Sequence, residues 1–306
     1  MSFTEKYRTE IIQTKVSKRS KSYVNKDINS NRAKMDVQLQ QTIQFINKNI
    51  NIRPRIAIIL GSGLGSYADT LEHKKKLSSD SIPHYPISTV EGHHGYLVFG
   101  KWKEIPLLAV QGRTHYYEGY SMEKVTYVVR IIAALGIKTL IVTNAAGGVN
   151  PDFVPGDLML ITDQINNMFR NPLRGPLRFG GNRFPDMSNP YSMKYFKLIE
   201  DVARENHISL KRGVLYVSTG PSYETAAEVK MIAKLGGDAA SMSTIPEVIV
   251  ANQEKLEVIG ISCITNHATG IGGSLLSHSD VTKTANFVQK KFFLLLSGII
   301  QKIGKY

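Results

Sequence analysis

Two spacings alternate along the chain from Val37 onward. Short unbroken apolar runs occur at Arg55–Leu60, Tyr96–Phe99, Leu107–Val110, Thr139–Thr143, Leu158–Thr162, Val214–Ser218 and Val258–Ile264. Runs of this kind read as strands buried on both faces. Between them, apolar residues recur every three or four positions over 37–49, 121–135, 191–206, 225–235, 246–254 and 280–302, the stripe of a helix resting on a sheet. Thr225-x-x-Glu228, Thr244-x-x-Glu247 and Ser277-x-x-Asp280 match the capping box that starts a helix. No internal repeat or linker interrupts 37–306. The alternation predicts a single α/β domain with a largely parallel or mixed sheet. The stretch 163–190, rich in Asn, Pro, Arg and Gly, is its one long loop, and loops of that length tend to be functional.

Ligands in such folds collect at the C-terminal ends of strands, and the unexpected polar residues fall there. "TNAAGG" (Thr143–Gly148), "STGPSYE" (Ser218–Glu224) and "SCITNHATG" (Ser262–Gly270) follow three of the apolar runs, and "MST" (Met242–Thr244) precedes a helix start. The first run ends in Gly61-Ser62-Gly63-Leu64-Gly65. The dinucleotide fingerprint needs its third glycine at position 66, where this chain has Ser66, and no Gly-Lys-Ser/Thr follows to make a Walker loop. Either the turn is a plain strand-to-helix connection, or it offers N–H groups and the Ser62 hydroxyl to a small oxyanion.

Composition narrows the setting. A hydrophobic fraction of 42% is enough for a proper core, and the single cysteine, Cys263, rules out an intrachain disulfide and a Cys-based zinc site. No apolar run approaches the ~18 residues of a membrane helix, and no secretory signal is apparent, so a cytoplasmic protein is expected. The net charge of +13 invites a nucleic-acid reading, but its distribution argues otherwise. Residues 1–35 hold nine Lys/Arg against three acids, nearly half of the excess, in a segment with little apolar periodicity. They read as a solvated basic extension, and the body lacks a basic strand interleaved with aromatics. The body's modest surplus suits an anionic substrate.

Several side chains carry candidate chemistry. In "QGRTHYYEGY" (Gln111–Tyr120), Arg113 and His115 stand two apart, so an extended backbone turns both the same way, a grip suited to phosphate. The plain alternative is a surface ion pair beside a core histidine. Ser243 and Thr244 lie at a helix start, where N–H groups and the dipole favour an anion, although Thr244 could simply cap. Ala145 sits in a small-residue turn whose backbone could reach a ligand. Glu224 also precedes a helix, where acids are common for dipole reasons alone. Asn266 ends a β-branched run, and its amide can donate and accept at once, which suits the edge of a heterocycle. His93 and His278 are lone histidines, usually structural.

Taken as a series, these motifs resemble one family. "GSGLG", "STVEGHHGYLVFG", "QGRTHYYEGY", "VTNAAGGVNPDFVPGDLMLITDQIN", "NPLRGP", "NRFPDMSNPY", "GPSYET", "MSTIPEVIVA" and "ISCITN…LSH" occur in the order of the trimeric purine nucleoside phosphorylases. The resemblance covers about 36–306, and "ITNHATGIGGSLLSH" is closer to bacterial members. It implies the nucleoside phosphorylase fold, a three-layer α/β domain with a central mixed sheet between helices. It implies phosphorolysis of purine (deoxy)ribonucleosides such as inosine and guanosine in purine salvage. Inorganic phosphate would be the co-substrate, with no metal or organic cofactor. The partners it implies are the nucleoside, phosphate and two further copies of the chain, not nucleic acid or a membrane. By the same resemblance, phosphate meets Ser62, Arg113, His115, Ala145 and Ser243, with His93 at the gate. The purine meets Tyr223, Glu224, Ala240, Met242 and Asn266, and the sugar meets Tyr117, Met242 and His278. Phe184 would reach a neighbouring subunit's site. Catalysis would rest on Asn266, Glu224, His278 and His115.

The chain departs from the family pattern at Gln164, Ser241, Ala226 and His267, and in a shortened loop around Phe184. Methylthioadenosine phosphorylase is the nearest rival reading, followed by a homologue that binds nucleosides with little turnover.

Overall fold

The seven apolar runs, joined by two further strands, form one sheet of nine strands among the described residues. The computed structural model describes residues 37–90, 95–177, 181–271 and 278–304, less the side chains of 278–280 and 282. The basic extension, His93 and the Ser277–Asp280 cap therefore lie outside the described residues. Helix α1 (37–49) leads into β1 (Ile56–Leu60), β2 (Glu72–Ser78), β3 (Tyr96–Trp102) and β4 (Ile105–Gln111). Next come α2 (Met122–Val125), α3 (Tyr127–Ala134), β5 (Thr139–Gly148) and β6 (Leu158–Asn166). The chain continues through α4 (Phe196–Glu205), β7 (Leu210–Val217), α5 (Ala226–Lys234) and β8 (Ala239–Ser241). It ends with α6 (Ile245–Gln253), β9 (Glu257–His267) and α7 (His278–Ile303).

The strand order is β2-β3-β4-β1-β5-β8-β7-β6-β9, and β9 also pairs with β5. Five strands (β5, β8, β7, β6 and β9) thus close into a ring, while β2, β3, β4 and β1 extend from it as an open sheet. The pairing is mixed, as expected. β1 runs parallel to β4 and β5, and β3 is antiparallel to both β2 and β4.

Burial explains the layering. In β1, Ala57 and Ile59 belong to one core cluster while Ile56, Ile58 and Leu60 belong to another, so alternate residues feed opposite faces of the sheet. The first cluster is covered by α1, α3 and α6 through Ile46, Ile131, Ile132, Ile245 and Val248. The second is covered by α4 and α7 through Ile199, Val202, Val288, Phe292 and Leu296. Among the described residues no helix is long and apolar enough to cross a membrane.

Some elements differ from the pattern-based expectation. β2, with the sequence Glu-His-Lys-Lys-Lys-Leu-Ser, carries almost no apolar signal because it is an exposed sheet edge, where lysines prevent further pairing. β8 is only three residues long. The helix expected over 121–135 is interrupted at Thr126, and β6 carries the start of the long loop in extended form as far as Asn166. β5 and β9 run on through the small polar residues expected to form turns, so Ala145 lies inside a strand.

Candidate active site

A gap in strand pairing opens the site. β1 pairs with β5 only as far as Ile59↔Val142, and β8 takes up the same edge of β5 only at Gly147↔Ala240. Residues 143–146 have β9 as strand partner on one side, while Asn144, Ala145 and Ala146 line a cleft. Gly61 stands at this gap because a Cβ there would lie 2.7 Å from the Asn144 Cα and 2.8 Å from the Thr143 carbonyl oxygen. The Gly61 N–H donates to Thr143 Oγ1 at 3.0 Å, so it is spent on joining β1 to β5 rather than offered to an anion. Gly61 and Ser62 of this turn line the cleft, and Ser62 supplies its side-chain hydroxyl.

One half of the cleft is charged and deeply buried. Arg113 is 4% exposed, and its Nη1 donates to Thr244 Oγ1 at 3.1 Å and to Glu247 Oε1 at 3.2 Å, while Nη2 donates to the Thr143 carbonyl. Glu247 is 1% exposed. Burial pulls the guanidinium below its ordinary value, and the Glu247 carboxylate opposes that pull. Thr244 also accepts from Asn144 Nδ2 at 2.8 Å. Its φ of 83° is a strained conformation for a β-branched residue, held by these buried bonds. The capping box expected at Thr244-x-x-Glu247 does not form. Thr244 makes no side-chain cap to α6, and Glu247 is drawn to Arg113, because a buried cation leaves no better use for a carboxylate.

His115 stands beside this pair. Its Nδ1 lies 3.0 Å from Glu118 Oε1, and its ring stacks on Tyr117 with centroids 4.7 Å apart. Burial lowers the His115 pKa, with the Glu118 bond opposing, so the ring is neutral near pH 7. Glu118 accepts from the His115 N–H at 2.6 Å and from the Thr89 N–H and hydroxyl at 2.6 and 2.9 Å. Burial pushes the Glu118 carboxyl up, but these bonds outweigh it and bring it down to about 2. Burial together with the Glu118 charge pushes the Tyr117 phenol up to about 12, which keeps it a neutral hydroxyl.

The other half belongs to the strand ring. Ala240 and Ser241 of β8, and Met242 and Ser243 just after it, line this half, with Ser241 Oγ donating to the Ala145 carbonyl at 3.0 Å. The turn between β7 and α5 passes over Met242 at Gly220, whose φ is 62° and whose Cβ would lie 2.4 Å from Met242 Sδ. Beyond it come Tyr223, 38% exposed, and the half-buried Glu224, whose Oε1 accepts from Ser218 Oγ at 2.9 Å. The expected capping box follows directly. Thr225 Oγ1 accepts from the Glu228 N–H at 3.2 Å, and Glu228 Oε2 from the Thr225 N–H at 2.7 Å. At the end of β9, Asn266 Oδ1 accepts from Thr265 Oγ1 at 2.9 Å while Nδ2 donates to the His267 carbonyl at 2.9 Å. Gly147 leaves room for that amide, since its Cβ would approach Nδ2 to 3.1 Å.

The cleft brings together Ser62, Arg113, His115, Tyr117, Ala145, Tyr223, Glu224, Ala240, Met242, Ser243 and Asn266. Phe184 lies elsewhere, 82% exposed along a separate hollow with Gln164, Met187 and Ile249. His278 opens α7, and its side chain, like His93, lies outside the described residues. Pattern reading missed Glu118, Asn144, Glu247, Ser218 and Thr265. Of these, Glu118 had a signal, standing one helical turn after His115; Glu247 was misassigned to a cap.

Residues 55–301 match the phosphorylase superfamily. Purine nucleoside phosphorylase 1 of Geobacillus stearothermophilus is 49% identical, covering 87% of this chain and 98% of that protein. Its Bacillus subtilis counterpart is 50% identical with the same coverage. A Schistosoma purine nucleoside phosphorylase in complex with hypoxanthine superposes with a TM-score of 0.82 at 35% identity, covering 87% of this chain and 96% of that one. The Schistosoma mansoni enzyme in complex with inosine gives the same TM-score, identity and coverage. The chain belongs to the phosphorylase superfamily and, within it, to the purine nucleoside phosphorylases.

Proposed function

We propose that this chain cleaves 6-oxopurine nucleosides such as inosine and guanosine with inorganic phosphate as the second substrate, and that adenosine is a poor substrate. Phosphorolysis of purine nucleosides is the activity of its family. The observation that carries the site assignment is the buried Arg113–Thr244–Glu247 cradle, whose Arg113 lines one cleft with Glu224 and Asn266 beside the β5 edge left open between β1 and β8.

On this reading Arg113, Ser62, Ser243 and the Ala145 backbone hold phosphate. A neutral His115 whose Nδ1–H is donated to Glu118 presents Nε2 as an acceptor, which matches the single hydroxyl of the phosphate dianion. The C1′–N9 bond breaks with its electron pair leaving on the purine, and a phosphate oxygen forms the new bond to C1′. Positive charge develops on the sugar beside the dianion, as in other glycosyl transfers. Negative charge collects on the purine, where the second N–H of Asn266 Nδ2 meets N7. Glu224, with Oε1 occupied by Ser218, accepts from the N1–H of a 6-oxopurine through Oε2. Bonds that strengthen as charge develops lower the barrier. Met242 and Tyr117 flank the sugar, with His278 and His93 assigned by resemblance. No step calls on a cofactor.

The active form is proposed to be a cytoplasmic homotrimer, with the exposed Phe184 reaching a neighbouring subunit's cleft. Sedimentation at assay concentration tests this, and an active monomer contradicts it. Release of hypoxanthine from inosine and phosphate, followed by absorbance, tests the substrate assignment. Adenosine turned over as fast as inosine at equal concentration contradicts the role given to Glu224.

A further inference from the structure

We infer that Ser218 is a positioning residue for base recognition, its hydroxyl fixing the Glu224 carboxylate so that one oxygen is held ready for a purine N1–H. The inference rests on the reading of Glu224 as the base-binding carboxylate. Ser218 does not line the cleft; it stands behind the carboxylate and donates to Oε1 at 2.9 Å. It is itself fixed to the strand ring, because its N–H donates to the Ser241 carbonyl at 3.1 Å. Ser241 in turn reaches the Ala145 carbonyl through its own hydroxyl.

The need for such a support follows from the turn. Glu224 sits on a segment whose preceding residues Pro221, Ser222 and Tyr223 are all exposed, and it is only half-buried itself. A long, flexible carboxylate in that setting samples several rotamers, and choosing one of them costs binding free energy. Two local devices limit the choice. The Thr225–Glu228 capping box fixes the backbone just after Glu224, and the Ser218 bond fixes the carboxylate. A hydroxyl donor also spends one carboxylate oxygen and leaves the group acceptor-only toward the ligand. That favours a purine presenting N1–H over one with a bare N1.

Kinetics of Ser218→Ala, Ser218→Thr and Glu224→Gln, with inosine and adenosine at several phosphate concentrations, test the inference. Ser218→Ala is expected to lower kcat/KM for inosine by about tenfold, the scale of one hydrogen bond to a charged group. The loss should fall on inosine KM, leave the phosphate KM unchanged, and reduce the inosine-to-adenosine ratio by a similar factor. Ser218→Thr, which keeps the hydroxyl, should stay close to wild type. The inference is overturned if Ser218→Ala matches wild type while Glu224→Gln is crippled, or if Ser218→Thr loses as much as Ser218→Ala. Equal losses for both nucleosides overturn it as well. If Glu224→Gln itself handles inosine normally, the underlying reading of Glu224 fails and takes this inference with it.

Discussion

The two halves of the cleft are built on opposite plans. On the side of β1, β4 and α6, Arg113, Thr244 and Glu247 are almost fully buried and bonded to one another before any ligand arrives. On the side of the strand ring, Tyr223 is exposed, Glu224 is half-buried, and the side-chain amide of Asn266 bonds to its chain neighbours Thr265 and His267. An oxyanion of one size and charge rewards a rigid cradle whose desolvation was settled on folding. A larger planar base must enter and leave, which requires an open wall. The gap at 143–146 lets one strand serve both halves.

Breaking the buried half should cost most. Arg113→Met leaves the Glu247 charge buried without its cation, and a loss of about 3–5 kcal/mol in folding stability is expected along with loss of phosphate-dependent turnover. Urea unfolding of Arg113→Met and of Arg113→Met/Glu247→Leu separates the two effects. The double variant should regain much of the stability and none of the activity. In the open half, Asn266→Ala should fold normally yet lose about 10²–10³-fold in kcat, as when another charge-stabilising donor is removed. A variant with normal kcat and raised nucleoside KM would make Asn266 a binding contact only.

Glu118→Gln sharpens the comparison further. Its carboxylate sets which His115 nitrogen carries the proton, so about a tenfold rise in the phosphate KM is expected with little change in kcat. The same variant predicts a pH signature. The Glu118 pKa falls from 4.5 to about 2 on folding, so its stabilisation is complete above 4.5 and is lost as the pH drops toward 2. The Tm difference between wild type and Glu118→Gln should be flat near neutrality and close in acid. The smallest effect is expected from the basic extension. Removing residues 1–35 should leave kcat within about twofold, because the segment shows no packing pattern.

The apolar runs made seven of the nine strands legible, in the open sheet and the ring alike, and left β2 and β8 unread. Ile56–Leu60 and Leu107–Val110 are apolar throughout because both faces are covered, and that signal needs no context. β8 is three residues long, and the ends of β5 and β9 are small and polar, so their pairing depends on distant partners rather than on local preference. The site showed a similar divide. Spacing alone left Arg113 and His115 open between an anion grip and a plain ion pair beside a core histidine, and the resemblance supplied the site assignments. The residues behind them, Glu118, Glu247 and Ser218, make ordinary local patterns whose meaning appears only once the groups they hold are in place.

If the two halves work independently, phosphate affinity should survive damage to the base side. Calorimetric titration of inorganic phosphate into Ser62→Ala and Asn266→Ala tests this directly. Ser62→Ala should bind phosphate weaker by roughly 5–10-fold, the worth of one hydroxyl donor among several. Asn266→Ala should bind it within about twofold of wild type despite its lost turnover. Phosphate affinity that falls tenfold or more in Asn266→Ala would contradict the division of labour.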